Sequence, residues 1–214
     1  MSKSFFFRFI AVGFLVFISY SCINPIAEVK NWMEAKSVEE IIGKYHFLDN
    51  DGIKVYLPQV FERYSSVEYQ QLLDSLATEK QFEFESKRLK SLREMEGSFY
   101  IFFDADTRST FTINTLPYMP ITRSDAQYLL GMISVSNDRT SYNSDLNFTK
   151  LSAVYHGSKD QHIFKSIYRI DNDKTDAEVY NSTYIISSNH KTVWIQLTTP
   201  FEADFDMFIQ KLIM

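Results

Sequence analysis

The clearest alternation of apolar and polar positions lies in the last third of the chain. Four alternating runs are separated by short polar turns, and each predicts a strand: Leu151–His156, Ile163–Ile170, Val179–Ile186 and Val193–Leu197. Strands joined by short turns pair antiparallel, so the four runs predict a meander. In the last run Val193, Ile195 and Leu197 occupy alternate positions, which predicts one buried face.

A helical period replaces the strand period at the end of the chain. An apolar stripe along residues Phe201–Ile213 predicts an amphipathic helix, and its members are Phe201, Phe205, Phe208, Ile209, Leu212 and Ile213. Of these, Phe205, Phe208, Ile209 and Leu212 are expected to dock on the sheet. Thr199 is the expected N-cap, with Pro200 in the first helical position and Glu202 completing a capping box.

The earlier part of the chain predicts two hairpins and two helical regions. Tyr45–Leu48 and Ile53–Leu57 flank an Asp-Gly turn, and Phe99–Phe103 and Thr110–Leu116 form the second hairpin. A capping box of Ser65 with Glu68 opens the first helical region, and Thr122 and Asp125 start the second. Gly97 is expected to end the first of these regions, which is interrupted near its middle.

The polar stretch Ser134–Asn147 follows the second helical region. Its length and lack of apolar periodicity predict a loop, and loops this long in compact domains are usually functional or mobile.

The order of these elements is hairpin, helix, hairpin, helix, four-stranded meander and helix. It predicts a single α+β domain with a largely antiparallel sheet flanked by helices. The order resembles that of the PsbP-like fold family, on three stretches: Ile53–Pro58 leading to a helix, the Val179–Leu197 hairpin and the Phe205–Ile213 helix. The resemblance implies a PsbP-like sandwich, whose members mostly bind or scaffold proteins. It supplies no catalytic residues to transfer.

Residues 1–21 have the pattern of a secretion signal. Lys3 and Arg8 give a positive start, and Phe9–Tyr20 is an apolar run shorter than the ~20 residues of a membrane-spanning helix. Ser19 and Ser21 are the small residues expected before a cleavage site. A retained membrane anchor is the alternative interpretation.

Cys22 is the single cysteine, so the chain cannot form an internal disulfide. Its place after the leader resembles the lipobox of bacterial lipoproteins, in which this thiol is acylated. Ser19 and Tyr20 depart from the usual box; ordinary cleavage that leaves a free thiol is the alternative. Ile23 after the cysteine favours the outer membrane. The predicted organisation is therefore a signal peptide at 1–21, a lipidated tether at 22–36 and an α+β domain at 37–214.

Composition and charge exclude some function classes. The chain is 45% hydrophobic and 16% aromatic, which is ample for a core. Its net charge is −5, and removing a leader with Lys3 and Arg8 leaves 20 basic against 27 acidic residues, or −7. An acidic chain argues against nucleic acid, because phosphate binding requires clustered cations. The basic cluster Lys87–Lys90 with Arg93 is better explained as a solvated helix face.

No catalytic motif stands out in the sequence. His156 and His162 flank a predicted turn but lack the further ligands that a metal site requires. The acidic clusters Asp49–Gly52, Asp104–Asp106 and Asp171–Asp176 lie between predicted strands, where such residues form turns. There is no nucleophile elbow and no glycine-rich phosphate loop. No metal and no cofactor are predicted.

Three aromatic residues form the candidate binding surface: Tyr180, Tyr184 and Trp194. The alternative is that these rings belong to the core. Together these observations predict a non-catalytic cell-envelope lipoprotein. It would be held at the membrane by an acyl anchor on Cys22, and its domain would bind or scaffold an unidentified envelope protein. A small-ligand carrier or hydrolase with a site beside Ser134–Asn147 is the alternative function.

Overall fold

A seven-stranded antiparallel sheet forms the centre of the domain. The computed structural model describes residues 42–76, 79–175 and 177–214, which belong to one unit, Ile42–Met214. The predicted signal peptide, the tether and Cys22 lie outside the described residues and stay predictions. The strand order is β3-β4-β5-β9-β8-β7-β6, with β1 and β2 paired separately.

The strands are β1 (Lys44–Leu48), β2 (Ile53–Leu57), β3 (Glu62–Tyr64), β4 (Ser98–Asp104), β5 (Ser109–Leu116), β6 (Leu146–Gly157), β7 (Gln161–Asn172), β8 (Ala177–Ser188) and β9 (Lys191–Thr199). The helices are α1 (Ser66–Leu76), α2 (Glu79–Arg93), α3 (Arg123–Asn143) and α4 (Asp206–Ile209).

The predicted meander and second hairpin make up six of the seven strands. Strands β6 to β9 pair in chain order, and β9 then pairs with β5 of the hairpin. The predicted buried face of β9 is confirmed, because Val193, Ile195 and Leu197 are at most 1% exposed. The short β3 was not predicted; it covers the edge of β4 with three residues.

The first hairpin forms as predicted but stands apart from the large sheet. Strands β1 and β2 make a two-stranded sheet of their own, and Gly52 takes a positive φ of 61° in the turn. The ring of His46 meets Phe102 of β4 edge-on at 4.8 Å, so the hairpin packs across one face of the large sheet.

Helices α1, α2 and α3 cover the opposite face. Two buried clusters join them to the strands: Tyr69, Leu89, Ile101 and Phe103, and then Ile121, Ala126, Phe164 and Ile185. The predicted capping box between Ser65 and Glu68 is present, and Thr122 and Asp125, which were predicted to start a helix, form a second one. Gly97 follows α2 at φ 103°, where an added Cβ would lie 1.6 Å from the carbonyl oxygen of Thr115.

The expectation of a solvated basic face on α2 is wrong at Arg88. Its side chain is 17% exposed, pairs with Glu85 at 2.6 Å and donates to Gln196 of β9 at 2.9 Å. A long cation can reach across a helix–sheet interface while remaining paired, and helical periodicity does not reveal that reach.

The expected loop at Ser134–Asn147 is also wrong, because α3 continues to Asn143. Its last turns contain polar side chains that bond back to the helix. Thr140 donates to the carbonyl of Ser136 at 2.9 Å, and Asn143 donates to that of Arg139 at 2.8 Å. These local bonds satisfy polar groups in a segment that lacks an apolar stripe toward the sheet.

The predicted C-terminal helix Phe201–Ile213 shortens to α4, four residues long. Thr199 does not cap it, since its hydroxyl donates to the carbonyl of Phe201 at 2.6 Å. The carboxylate of Asp204 instead accepts the Asp206 amide at 3.0 Å, which forms a turn immediately before the helix. The docking part of the prediction holds for Phe205 and Ile209, which are buried.

Candidate interaction surfaces

The aromatic residues predicted as a binding surface do not share one face. Tyr184 pairs with Ile195 across β8 and β9, so its side chain and that of the neighbouring Trp194 point to opposite sides of the sheet. Tyr184 is fully buried and donates to Asp206 at 2.9 Å. Trp194 is half-buried against the cluster under α3, and the half-buried Tyr180 donates to Glu178. The expectation of a common surface is therefore wrong, and the core interpretation holds for Tyr184.

An exposed aromatic surface does occur, on the outer side of the first hairpin. The register places Tyr45 opposite Tyr56 and Phe47 opposite Lys54. Phe47 is 54% exposed, and Tyr45 is 43% exposed and meets the ring of Tyr56 at 4.9 Å. These residues face away from the large sheet because His46 and Val55 occupy the inward side.

Lysine side chains lie over two of these rings. The Lys54 amine is 4.9 Å from the centre of Phe47, and the Lys211 amine is 4.3 Å from that of Tyr56. We call Tyr45, Phe47, Lys54, Tyr56 and Lys211 the hairpin face. Most of its surface is aromatic, and its two lysines make it positively charged, whereas the whole chain has a net negative charge.

The C-terminal segment completes the hairpin face. Lys54 and Ile213 exchange backbone hydrogen bonds of 2.9 and 3.0 Å, and Phe208 stacks near Tyr56 at 6.0 Å. Asp206 fixes this segment to the sheet, because both its carboxylate oxygens lie 2.6 Å from the Lys165 amine. Burial and the neighbouring Asp206 carboxylate raise the pKa of Tyr184 well above its ordinary value, so its hydroxyl remains a donor.

A groove of about 460 Å³ lies between α3 and the strands β6 and β7. Its helical side includes Ser134 and Asp138, and its floor includes Phe148, Lys150 and Tyr168. Burial, and then the charge of Asp138, raise the pKa of Tyr168. The nine lining residues combine a serine hydroxyl, a carboxylate, an amine and a phenol, so the groove offers polar contacts to a small molecule.

The described part of the chain contains neither a cluster of metal ligands nor a membrane-spanning helix. In residues 42–76, 79–175 and 177–214, no three His, Cys, Asp or Glu side chains lie together as metal ligands. Within the same ranges, no helix combines the length and the apolar character needed to span a membrane.

Sequence reasoning missed the hairpin face, although its signal was present. Phe47 and Lys54 stand at paired positions around the turn, so the register of the predicted hairpin already placed them side by side. The contribution of Phe208 and Lys211 to this surface could not be predicted from the sequence, because it depends on how the C-terminal segment crosses the hairpin.

Comparison by sequence gives no match to a known protein family and none to a curated protein. Comparison by structure does find similar proteins. The solution structure of cyanobacterial PsbP (CyanoP) from Synechocystis sp. PCC 6803 matches with a TM-score of 0.51 at 13% identity, over 84% of this chain and 96% of that one. The Ran-binding protein Mog1p of Saccharomyces cerevisiae matches with a TM-score of 0.41 at 13% identity, over 75% and 78%. The chain therefore has a PsbP-like α+β fold, as the order of its elements predicts.

Proposed function

We propose that this protein is a non-catalytic lipoprotein of the bacterial cell envelope whose domain binds another envelope protein. Acylation at Cys22 attaches it to the membrane, and the outer membrane is the favoured location. The leader pattern at residues 1–21 and the position of the single cysteine support the anchor. A single acyl chain holds a protein at a membrane only marginally, and the multiple chains of a lipobox cysteine make the attachment stable.

The hairpin face is the observation that carries the binding part of this proposal. Aromatic rings supply large contact areas with little loss of conformational entropy, and they are enriched in protein interfaces. Lys54 and Lys211 give this surface a positive charge. The partner that fits is a protein whose surface combines apolar residues with an acidic rim.

Lipid labelling tests the anchor. Cells that produce the full chain are grown with labelled palmitate, next to cells that produce Cys22→Ala. We expect label in the wild type and none in the variant. Equal labelling of both proteins, or labelling of neither, would contradict acylation at Cys22.

Site-directed photocrosslinking tests the binding surface. A photoreactive residue replaces Phe47 in the full chain, and a matched control replaces Asp74, which is exposed on α1. We expect a discrete crosslinked protein from position 47 only, and a weaker product when Lys54→Glu is added. The same product from both positions, or none from position 47, would rule out this surface.

The groove beneath α3 favours a second candidate, a small-ligand carrier. Gly131 lines the groove, and an added Cβ there has no atom within 4 Å, so Gly131→Trp would fill the space. Native mass spectrometry of the purified full chain would show a small polar molecule bound to the wild type and absent from Gly131→Trp. Identical spectra for the two proteins would remove this candidate.

A further inference from the structure

The outward side of α3 carries a second apolar surface, separate from both the hairpin face and the groove. Tyr128, Met132, Val135 and Tyr142 are 70%, 50%, 58% and 90% exposed. Arg139, also exposed, lies between the last two. Successive members are four, three, four and three residues apart, so all five side chains lie on one face of the helix. We call these five residues the α3 stripe.

The α3 stripe is not needed to dock α3 on the sheet. The inward side of the helix does that through Ala126, Leu129, Leu130 and Ile133, which pack against the cluster around Phe164. Among the described residues, no side-chain hydrogen bond, ion pair or ring contact joins the stripe to another part of the domain. An exposed row of Tyr, Met and Val over about four helical turns is unusual on a monomer surface, and such rows mark contacts with other proteins.

The stripe is complementary to itself when a second copy runs antiparallel. A two-fold axis between Met132 and Val135 places Met132 of one copy against Val135 of the other. The same axis places Tyr128 against Arg139, which is a cation–π pair, and Tyr142 against Asp125, whose exposed carboxylate can accept the phenol hydroxyl. Each contact then occurs twice, as in any symmetric two-fold interface. A parallel pair would instead bring the two Arg139 side chains together.

We propose that the α3 stripe is a contact between two copies of this chain, arranged as an antiparallel helix pair. Asp125 and Tyr142 are about 26 Å apart along the helix, at ~1.5 Å per residue. One helix pair of that length buries less than the ~1,200–2,000 Å² of a stable complex, so the association is reversible and depends on concentration.

Exchanging the charge between positions 128 and 139 tests whether a second copy of the chain binds the α3 stripe. Two differently tagged full-length copies are produced together, extracted in mild detergent, and isolated through one tag while the other is quantified. Arg139→Glu should lower the recovered second copy about tenfold, because both symmetric cation–π pairs are lost. Tyr128→Lys alone should also lower it. The double variant should restore recovery, since each new lysine then faces a new glutamate on the other copy.

The control is Arg123→Glu, which makes the same charge change on α3 but away from the stripe, and it should leave recovery unchanged. All of these positions are exposed, so thermal melting should confirm that every variant stays folded. Recovery in the double variant below that of either single variant would overturn a second copy as the occupant and indicate a different protein. Unchanged recovery in Arg139→Glu, or an equal loss in Arg123→Glu, would also overturn the proposal.

Discussion

The two faces of the seven-stranded sheet are covered in different ways. On one face lie α1, α2 and α3, which are 11, 15 and 21 residues long and dock through buried apolar clusters. On the other face lie a hairpin with five-residue strands and the C-terminal segment, whose helix α4 has four residues. Isolated hairpins and single helical turns are barely stable in water, so these small covers need support from the sheet.

Carboxylates supply part of that support. Asp51 in the hairpin turn accepts hydroxyl groups of Tyr100 at 2.5 Å and Thr115 at 2.8 Å. Asp206 in the C-terminal segment accepts from Lys165 and Tyr184. Hydrogen bonds to charged groups are stronger than neutral ones, so a few of them can hold a short segment. On the helical face, the charged link from Arg88 to Gln196 and the neutral bonds from Tyr69 to Thr110 and from Asn114 to the Leu92 carbonyl add to a buried cluster that already holds α1 and α2.

A charge placed on the inner side of β9 should have the largest effect. Ile195→Asp would bury an unpaired carboxylate under the hairpin side, which costs several kcal/mol out of a total stability of ~5–15 kcal/mol. We expect loss of the folded protein by circular dichroism. The control is Gln196→Glu, one residue along on the helical side, where the acid faces Arg88 and should be tolerated. A stable Ile195→Asp variant would contradict the face assignment.

Removing the charge of Asp206 should be the next largest change. Asp206→Asn leaves the Lys165 amine without an opposite charge at a site where both side chains are only 12% exposed. Loss of one member of a buried pair costs ~3–5 kcal/mol. Urea unfolding should show this loss, whereas Asp145→Asn at the exposed Lys174 pair should cost no more than ~1 kcal/mol. Equal losses at the two pairs would contradict the anchoring role of Asp206.

Removing a single aromatic ring from the C-terminal segment should cause a smaller loss of stability. Phe208 is half-buried and stacks on Phe205 at 4.7 Å, so Phe208→Ala should cost about 2 kcal/mol, less than the ~3–5 kcal/mol of a fully buried ring. Phe205→Ala, at the buried ring beneath it, should fall in that higher range. Thermal melting can rank the two variants, and the reverse order would contradict the packing described here.

The smallest expected effect is a dependence of stability on pH at His46. Burial against the sheet, and then the charges of Lys44 and Arg63, lower the pKa of His46 from 6.5. As the pH drops from about 7 to about 5, His46 is protonated in the unfolded chain at a higher pH than in the folded chain. The free energy of unfolding therefore falls over this range. His46→Phe should flatten that slope in urea titrations. An unchanged slope would show that His46 does not contribute to it.

The difference between the two faces also explains how much of the fold could be predicted. The strands of the meander were readable because burial alternates along them, as at Val193, Ile195 and Leu197. The length of the C-terminal helix was overestimated because an apolar stripe indicates which residues are buried and not where the helix begins. Contacts with residues distant in the sequence determine that start. The Asp206–Lys165 pair spans 41 residues, and no local pattern reveals it.

The same limits explain why the candidate surfaces could not be predicted fully from the sequence. Tyr184 was placed in a surface set because a sequence cannot show which face of an internal strand is covered. The outward position of Phe47 beside Lys54 follows from the register of the predicted hairpin, although it was not drawn from the sequence. The stripe from Tyr128 to Tyr142 was hidden by the expectation of a loop from Ser134 onward. Polar positions such as Ser136 and Thr140 weaken helical periodicity, although a hydroxyl can bond within a helix, as that of Thr140 does to the Ser136 carbonyl.

Hydrogen exchange of the full chain and of Asp206→Asn tests most directly the claim that this carboxylate holds the C-terminal cover. In the wild type, the amides of Gln210 and Ile213 should be protected, because they bond to the carbonyls of Asp206 and Lys54. In the variant, these amides and that of Lys54 should exchange faster while the amides of α3 keep their protection. Unchanged protection of Gln210 and Ile213 in Asp206→Asn, or an equal loss throughout α3, would contradict the claim.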